Sequence, residues 1–190
     1  MIEYNILYSL KIICCIISQN GYNYTIQGGD YMYNVLDVAR YVINYENQKG
    51  NKISNLKLQK LLYFIQALFL ITEPYEPCFK EDIEAWDFGP VIPEVYHEFK
   101  SYGNRNIPPV KQYYDFSDGF WRASQKIYDE DIIWDEDKGL IDSVLDQFKD
   151  YSASDLVSIT HNQKPWRTAY RKWGNSIISK EAIQNYFNED

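Results

Sequence analysis

The sequence predicts a mainly α-helical fold: one compact multi-helix domain, with a central buried helix over about residues 55–72 and a small β-hairpin or short strands around 80–116. Three observations carry this expectation. The stretch LKLQKLLYFIQALFLI, residues 56–71, is apolar on nearly every face, as a helix reads when neighbours cover it all round. Elsewhere apolar residues recur at helical spacing between cap and stop residues. Between these helices, Ile83 to Trp86 reads as a short extended piece running into a Gly89–Pro90 corner, which no helix tolerates in its interior.

Taken in order, residues 1–31 are expected to form an N-terminal extension, and 32–190 the helical domain. Ile6 to Ile17 is an apolar run broken by Lys11, too short to span a bilayer and lacking the basic start and cleavage site of a signal peptide. Gly28-Gly29-Asp30-Tyr31 ahead of Met32 permits a purine-rich ribosome-binding site in the codons, so Met32 is the expected natural start and 1–31 a poorly packed translated leader. An ordinary N-terminal helix and linker is the alternative.

Asn34 is placed as an N-cap. Val35, Val38, Ala39, Val42 and Ile43 then share one helix face, and Gly50 stops it. Ser54 or Asn55 caps the apolar helix, whose Leu58, Leu61, Leu62, Ile65, Leu68 and Phe69 make one stripe. Gln59 and Gln66 flank Tyr63 on the same side, either as hydrogen-bonded groups in a crowded core or as a polar stripe facing a groove. Glu73–Pro74 ends this helix.

Glu84 to Gly103 follows, reading EAWDFGPVIPEVYHEFKSYG. Gly89 permits backbone shapes that residues with Cβ avoid, and Pro93 suits a first helical turn. Val95, Phe99 and Tyr102 face one way, and Gly103 is placed to cap the end. Local physics makes this a rigid corner feeding a core helix; the sharper reading is a recognition surface around Trp86 and Tyr96.

Residues 110–134 have no clean period. Tyr113, Tyr114, Phe116, Phe120, Trp121, Ile127, Tyr128 and Trp134 lie among acids, and Asp129, Glu130, Asp131, Asp135, Glu136 and Asp137 form a dense acidic patch, expected to be a solvated surface. A helix over 136–149 follows with Leu140, Ile141, Val144, Leu145 and Phe148 inward. Ser152 and Asp155 resemble a capping box for a helix that turns Leu156, Val157 and Ile159 inward and ends at Thr160-His161. Pro165 opens a further helix carrying Trp166, Ala169, Tyr170 and Trp173 to a Gly174 stop, and Ser179 caps a last helix ending near Asn188.

Composition narrows the function. Of 190 residues, 27 are acidic and 19 basic, giving a net charge of −8. Such a chain gains nothing from counterion release on a phosphate backbone, so nucleic acid is disfavoured as a partner, and anionic membranes likewise; basic partners are favoured. Three cysteines, two of them adjacent, form no disulfide framework or zinc motif, and the cytoplasm is the expected compartment. With two histidines and no phosphate loop, dinucleotide fingerprint, metalloprotease helix or nucleophile elbow, no catalytic, cofactor-binding or metal-binding residues are assigned. His161 at a helix end fits a structural role better than a catalytic one.

Three blocks together resemble a known family: LKLQKLLYFIQ at 56–66, EAWDFGPVIPEVY at 84–96, and SASDLVSITH at 152–161 with Pro165-Trp166. In order and spacing they resemble the SocA-like Panacea antitoxin domain, also met as phage-associated GepA-type proteins. The resemblance covers about residues 33–188. It implies a mainly helical cytoplasmic antitoxin of a bacterial or prophage toxin–antitoxin pair, which neutralises a co-encoded protein toxin by direct contact or, in the SocA manner, by presenting it to a ClpXP-type protease. It implies no cofactor and no catalytic residue.

The matched positions Gln59, Tyr63, Trp86, Gly89, Pro90, Tyr96, His161 and Trp166 are expected to form the shared fold motif or a common surface. Tyr113, Tyr114, Phe116, Trp121, Asp129, Glu130 and Asp131 are the candidate partner-binding residues, because aromatics anchor interfaces and acids steer basic partners. Two alternatives stand beside this reading: a small hydrolase-like enzyme using His161 with nearby carboxylates, and a DNA-binding autoregulator.

Overall fold

A computed structural model of the chain describes residues 10–12, 32–116 and 119–189. Residues 10–12 are helical, Leu10 is buried in the core, and Lys11 Nζ donates to the Glu189 carbonyl at 2.6 Å. The leader expectation for the rest of 1–31 lies outside the described residues.

The structure is mainly α, with small antiparallel sheets. Helix α1 (Val35–Gln48) starts where the Asn34 side chain accepts from the Leu36 amide, and it buries the expected Val35, Val38, Ala39, Val42 and Ile43. Gly50 takes φ +77 just beyond it, a shape costly for residues with Cβ. Helix α2 (Asn55–Ile71) is capped by Ser54, and 15 of its 17 residues are buried. Phe64 of α2 stacks on Phe148 at 4.4 Å and meets Phe187 edge-on. The two α2 glutamines are satisfied within the core. Gln66 exchanges two hydrogen bonds with the Phe79 backbone, donating to its carbonyl and accepting from its amide, both at 3.2 Å.

Strands β1 (Ile83–Trp86) and β2 (Gly89–Val91) form a hairpin with Trp86 opposite Gly89, so Asp87 and Phe88 are its two-residue loop. Helix α3 (Pro93–Phe99) follows, with a 3-10 turn over 100–102. The irregular 110–134 stretch contains a second hairpin, β3 (Gln112–Asp115) with β4 (Ser124–Ile127). Helices α4 (Asp135–Gln147), α5 (Ala153–Asn162), α6 (Lys164–Ala169) and α7 (Lys180–Asn188) complete the domain. The Ser152–Asp155 capping box is formed in both directions. Helix α2 packs against α1, α3, α4, α5, α7 and β2.

Three expectations need correction. The helix predicted to run from Pro165 to Gly174 ends at Ala169, and Trp173, expected on its apolar face, is 91% exposed with φ +68. Beyond it, β5 (Ser176–Ile178) joins the open edge of β1, giving the order β2–β1–β5. An edge strand is stabilised by ladder bonds that no sequence period announces, and the chain must leave the helix early to reach it. Asp137, assigned to a solvated acidic run, is buried; Tyr33 OH donates to its carboxylate at 2.5 Å. Val157 is half-buried rather than inward, while Thr160 is fully buried.

Candidate functional site

The three sequence blocks meet at Gly89. From α2, Gln59 accepts the Ile92 amide at 2.8 Å and donates to Asn55 Oδ1 at 3.1 Å. One residue on, Lys60 Nζ donates to the Pro90 carbonyl at 2.8 Å. Gly89 lies between these and α5 with φ +96, and a Cβ there would come within 2.8 Å of both Lys60 Cε and Thr160 Oγ1. The Thr160 hydroxyl is itself committed to the Leu156 carbonyl at 2.9 Å. Close approach and positive φ thus both require glycine at 89.

Lys60 is fully buried, and burial pushes its amine down to about 7. The loss of solvation disfavours the ammonium form, and the Pro90 carbonyl is a neutral acceptor rather than a countercharge.

An aromatic column closes the other side of the hairpin. His161 stacks on Trp166 with ring centroids 4.0 Å apart, and Trp166 stacks on Tyr170 at 4.6 Å. Trp166 Nε1 donates to the Trp86 carbonyl at 3.0 Å, and Tyr170 OH donates to Asp87 Oδ1 at 2.8 Å. Burial lowers the pKa of His161, the positive charge of Lys60 lowers it further, and a hydrogen bond with the Asp87 backbone pulls the other way. Its Nε2 is buried without a hydrogen-bond partner. Among the described residues no carboxylate side chain is ion-paired with it; the Asp87 carboxylate beside the column accepts from Tyr170 instead.

Trp86 and Tyr96 meet edge-to-face at 4.9 Å and, with Gln59, line a cleft of about 890 Å³. Tyr63, Gly89, Pro90, His161 and Trp166 are not among its lining residues. Tyr63 is wholly buried in the core. The candidate set therefore divides into an internal lock and a cleft. The cleft also takes Phe88, Lys100 and Trp173, which sequence reasoning missed. Phe88, an apolar residue in a two-residue turn, was the available signal; Trp173 was hidden by its helical spacing.

The proposed partner-binding residues also divide. Tyr113 is half-buried and lies under the Arg40 guanidinium, 3.6 Å from ring centroid to Cζ. Tyr114, Phe116 and Trp121 are 60%, 50% and 95% exposed, and Asp129, Glu130 and Asp131 are exposed as well. Ile127 was not singled out. It is 84% exposed and its neighbour across the hairpin is Gln112.

Among the described residues no helix is long and apolar enough to cross a membrane. No solved structure matches the chain. Over 115 residues it is 38% identical to Antitoxin SocA of Caulobacter vibrioides (strain NA1000 / CB15N), an alignment covering 60% of this chain and 58% of that protein. The chain thus spans little more than half the length of that curated relative. The family model described as antitoxin SocA-like, Panacea domain, matches residues 58–167, the span that carries α2, the β1–β2 hairpin, α5 and the start of α6, and on that match the chain belongs to the SocA-like Panacea antitoxin family.

Proposed function

We propose that this chain is the antitoxin of a toxin–antitoxin pair and neutralises a co-encoded protein toxin by direct contact. The observation that carries the reading is the family match over residues 58–167. The name of the similar Caulobacter protein, an antitoxin, supports it. The site chemistry is compatible: the one imidazole in the lock is held against Trp166 with a lowered pKa, and the buried lysine serves the Pro90 carbonyl. Both groups act as supports for a binding surface. We assign the internal lock to the fold, and the cleft around Trp86 and Tyr96 to the surface shared with other members of the family. We take residues 32–190 as the functional unit.

The test is co-expression with the neighbouring reading frame. That product alone should stop growth, and growth should return when this chain is present. Harmlessness of the neighbour, or toxicity undiminished by this chain, overturns the reading. Masking leaves the toxin's cellular level unchanged while growth recovers; a ClpXP-dependent fall in toxin level would replace masking with the proteolytic-adaptor mechanism. A variant beginning at Met32 should still neutralise, with stability lowered by the loss of buried Leu10 and the Lys11 bond to Glu189.

A further inference from the structure

Among the described residues, the β3–β4 hairpin meets α1 through one face. Strand alternation puts Tyr113 and Asp115 on one side with their partners Lys126 and Ser124. On that side Tyr113 lies under Arg40 of α1 and Asp115 pairs with Lys126. Tyr128, two residues beyond Lys126, continues this side and donates to the Asp37 carbonyl of α1 at 3.0 Å. The opposite face carries Tyr114 and Ile127 with their partners Gln125 and Gln112, and is extended by Phe116, whose ring lies 6.4 Å from that of Tyr114. All three are at least half exposed.

A two-stranded sheet is marginal by itself, so α1 supplies the support that keeps this apolar face in a fixed shape. Contiguous apolar exposure of this kind marks interaction sites, and a preorganised aromatic face binds with little ordering cost.

Resting on the antitoxin reading above, we infer that the outward Tyr114–Phe116–Ile127 face is the toxin-binding surface, and that its partner is a basic protein surface with an apolar centre. The charge pattern selects that occupant. Asp129, Glu130 and Asp131 follow Tyr128 at the end of the hairpin and are exposed, and Asp135 and Glu136 come next; Asp131 and Asp135 share Lys138, which leaves Asp129, Glu130 and Glu136 as the exposed acids outside that pairing. Such a rim draws a basic partner and sets its orientation. A second copy of this chain would bring the same acids, on a molecule of net charge −8, against this rim, and self-pairing is disfavoured.

The experiment titrates the purified product of the neighbouring reading frame into this chain, with growth rescue measured in parallel. Tyr114→Ser/Phe116→Ser/Ile127→Ser should weaken binding about thirtyfold or more and abolish rescue, with the melting temperature nearly unchanged because these side chains are exposed. Asp129→Lys/Glu130→Lys/Asp131→Lys should slow association about tenfold at low salt and flatten its salt dependence. Should the triple serine variant fail to fold, Ile127→Lys alone reads the same face.

Wild-type rescue and binding, with these variants within twofold of wild type, overturn the surface assignment and leave the antitoxin reading standing. Absence of both rescue and binding by the wild-type chain removes the antitoxin reading, and the inference with it. Concentration-dependent dimerisation that the serine variant abolishes, while toxin binding persists, assigns the face to self-association and overturns the inference.

Discussion

Lys60 Nζ donates to the carbonyl of Pro90 at 2.8 Å across the contact between α2 and the β1–β2 hairpin. The bond ties two sequence blocks 30 residues apart, in a buried setting. Lys60 is the buried amine on which the lock turns, and its stem forms one wall of the space that only glycine fits at 89.

Gly89→Ala is expected to destabilise the chain by about 2–4 kcal/mol, combining an unfavourable positive φ with overpacking against Lys60 and Thr160. Urea denaturation measures it. A loss within about 0.5 kcal/mol, the range of an ordinary surface substitution, would mean that the hairpin shifts freely on α2.

Stability should depend on pH through Lys60. Its folded pKa of about 7 lies below the ordinary 10.5, so between these values the unfolded chain binds a proton that the folded chain does not. Stability therefore falls as pH falls through that window, at up to about 1.4 kcal/mol per pH unit. His161, lowered from 6.5, continues the same slope below that value. Glu46 and Asp137, raised by burial, act in the opposite sense as they protonate. Above pH 10 the buried Tyr33 and Tyr41, also raised by burial, reverse the slope. Lys60→Met should flatten the dependence between pH 7 and 9, read from denaturation curves at the two values. An unchanged slope would show that Lys60 is not its source.

His161→Ala should cost about 1–2 kcal/mol through the lost stack on Trp166, seen as a lower melting temperature. His161→Phe keeps a stacked ring and removes the unpartnered Nε2 at the cost of the bond to the Asp87 backbone, so it should retain toxin neutralisation. Loss of neutralisation in the Phe variant with the melting temperature unchanged would return His161 to a chemical role.

Gln66→Leu should be among the more damaging core changes, at about 2–4 kcal/mol. It strands both the amide and the carbonyl of Phe79 in a buried setting. Chemical denaturation checks this. Near-neutral stability would require the Phe79 segment to find other partners.

The sequence by itself determined where most of the helices start and how they are capped. Asn34, Ser54, Ser152 and Ser179 all accept backbone amides at helix starts, because capping is settled within a few residues of chain. It also identified the blocks that meet at Gly89, and the glycine and prolines of the hairpin announced a turn through their own backbone limits.

Tertiary structure alone decided the rest. Trp173 follows a perfect helical period, yet β5 takes the chain onto the edge of β1, since strand pairing joins residues some 90 positions apart. Asp137 sits within an acidic run, yet Tyr33 draws it inward from 104 residues away. Trp86 and Tyr96 could be named from sequence, but the cleft they line needed Phe88 and Trp173 from two separate turns. Tyr113 and Tyr114 are neighbours of like composition; only the register of β3 on β4, and Arg40 beneath it, sends one to the core side and the other to solvent. Local propensity acts through the next few residues, whereas burial and surface are fixed by what the distant chain brings to each side.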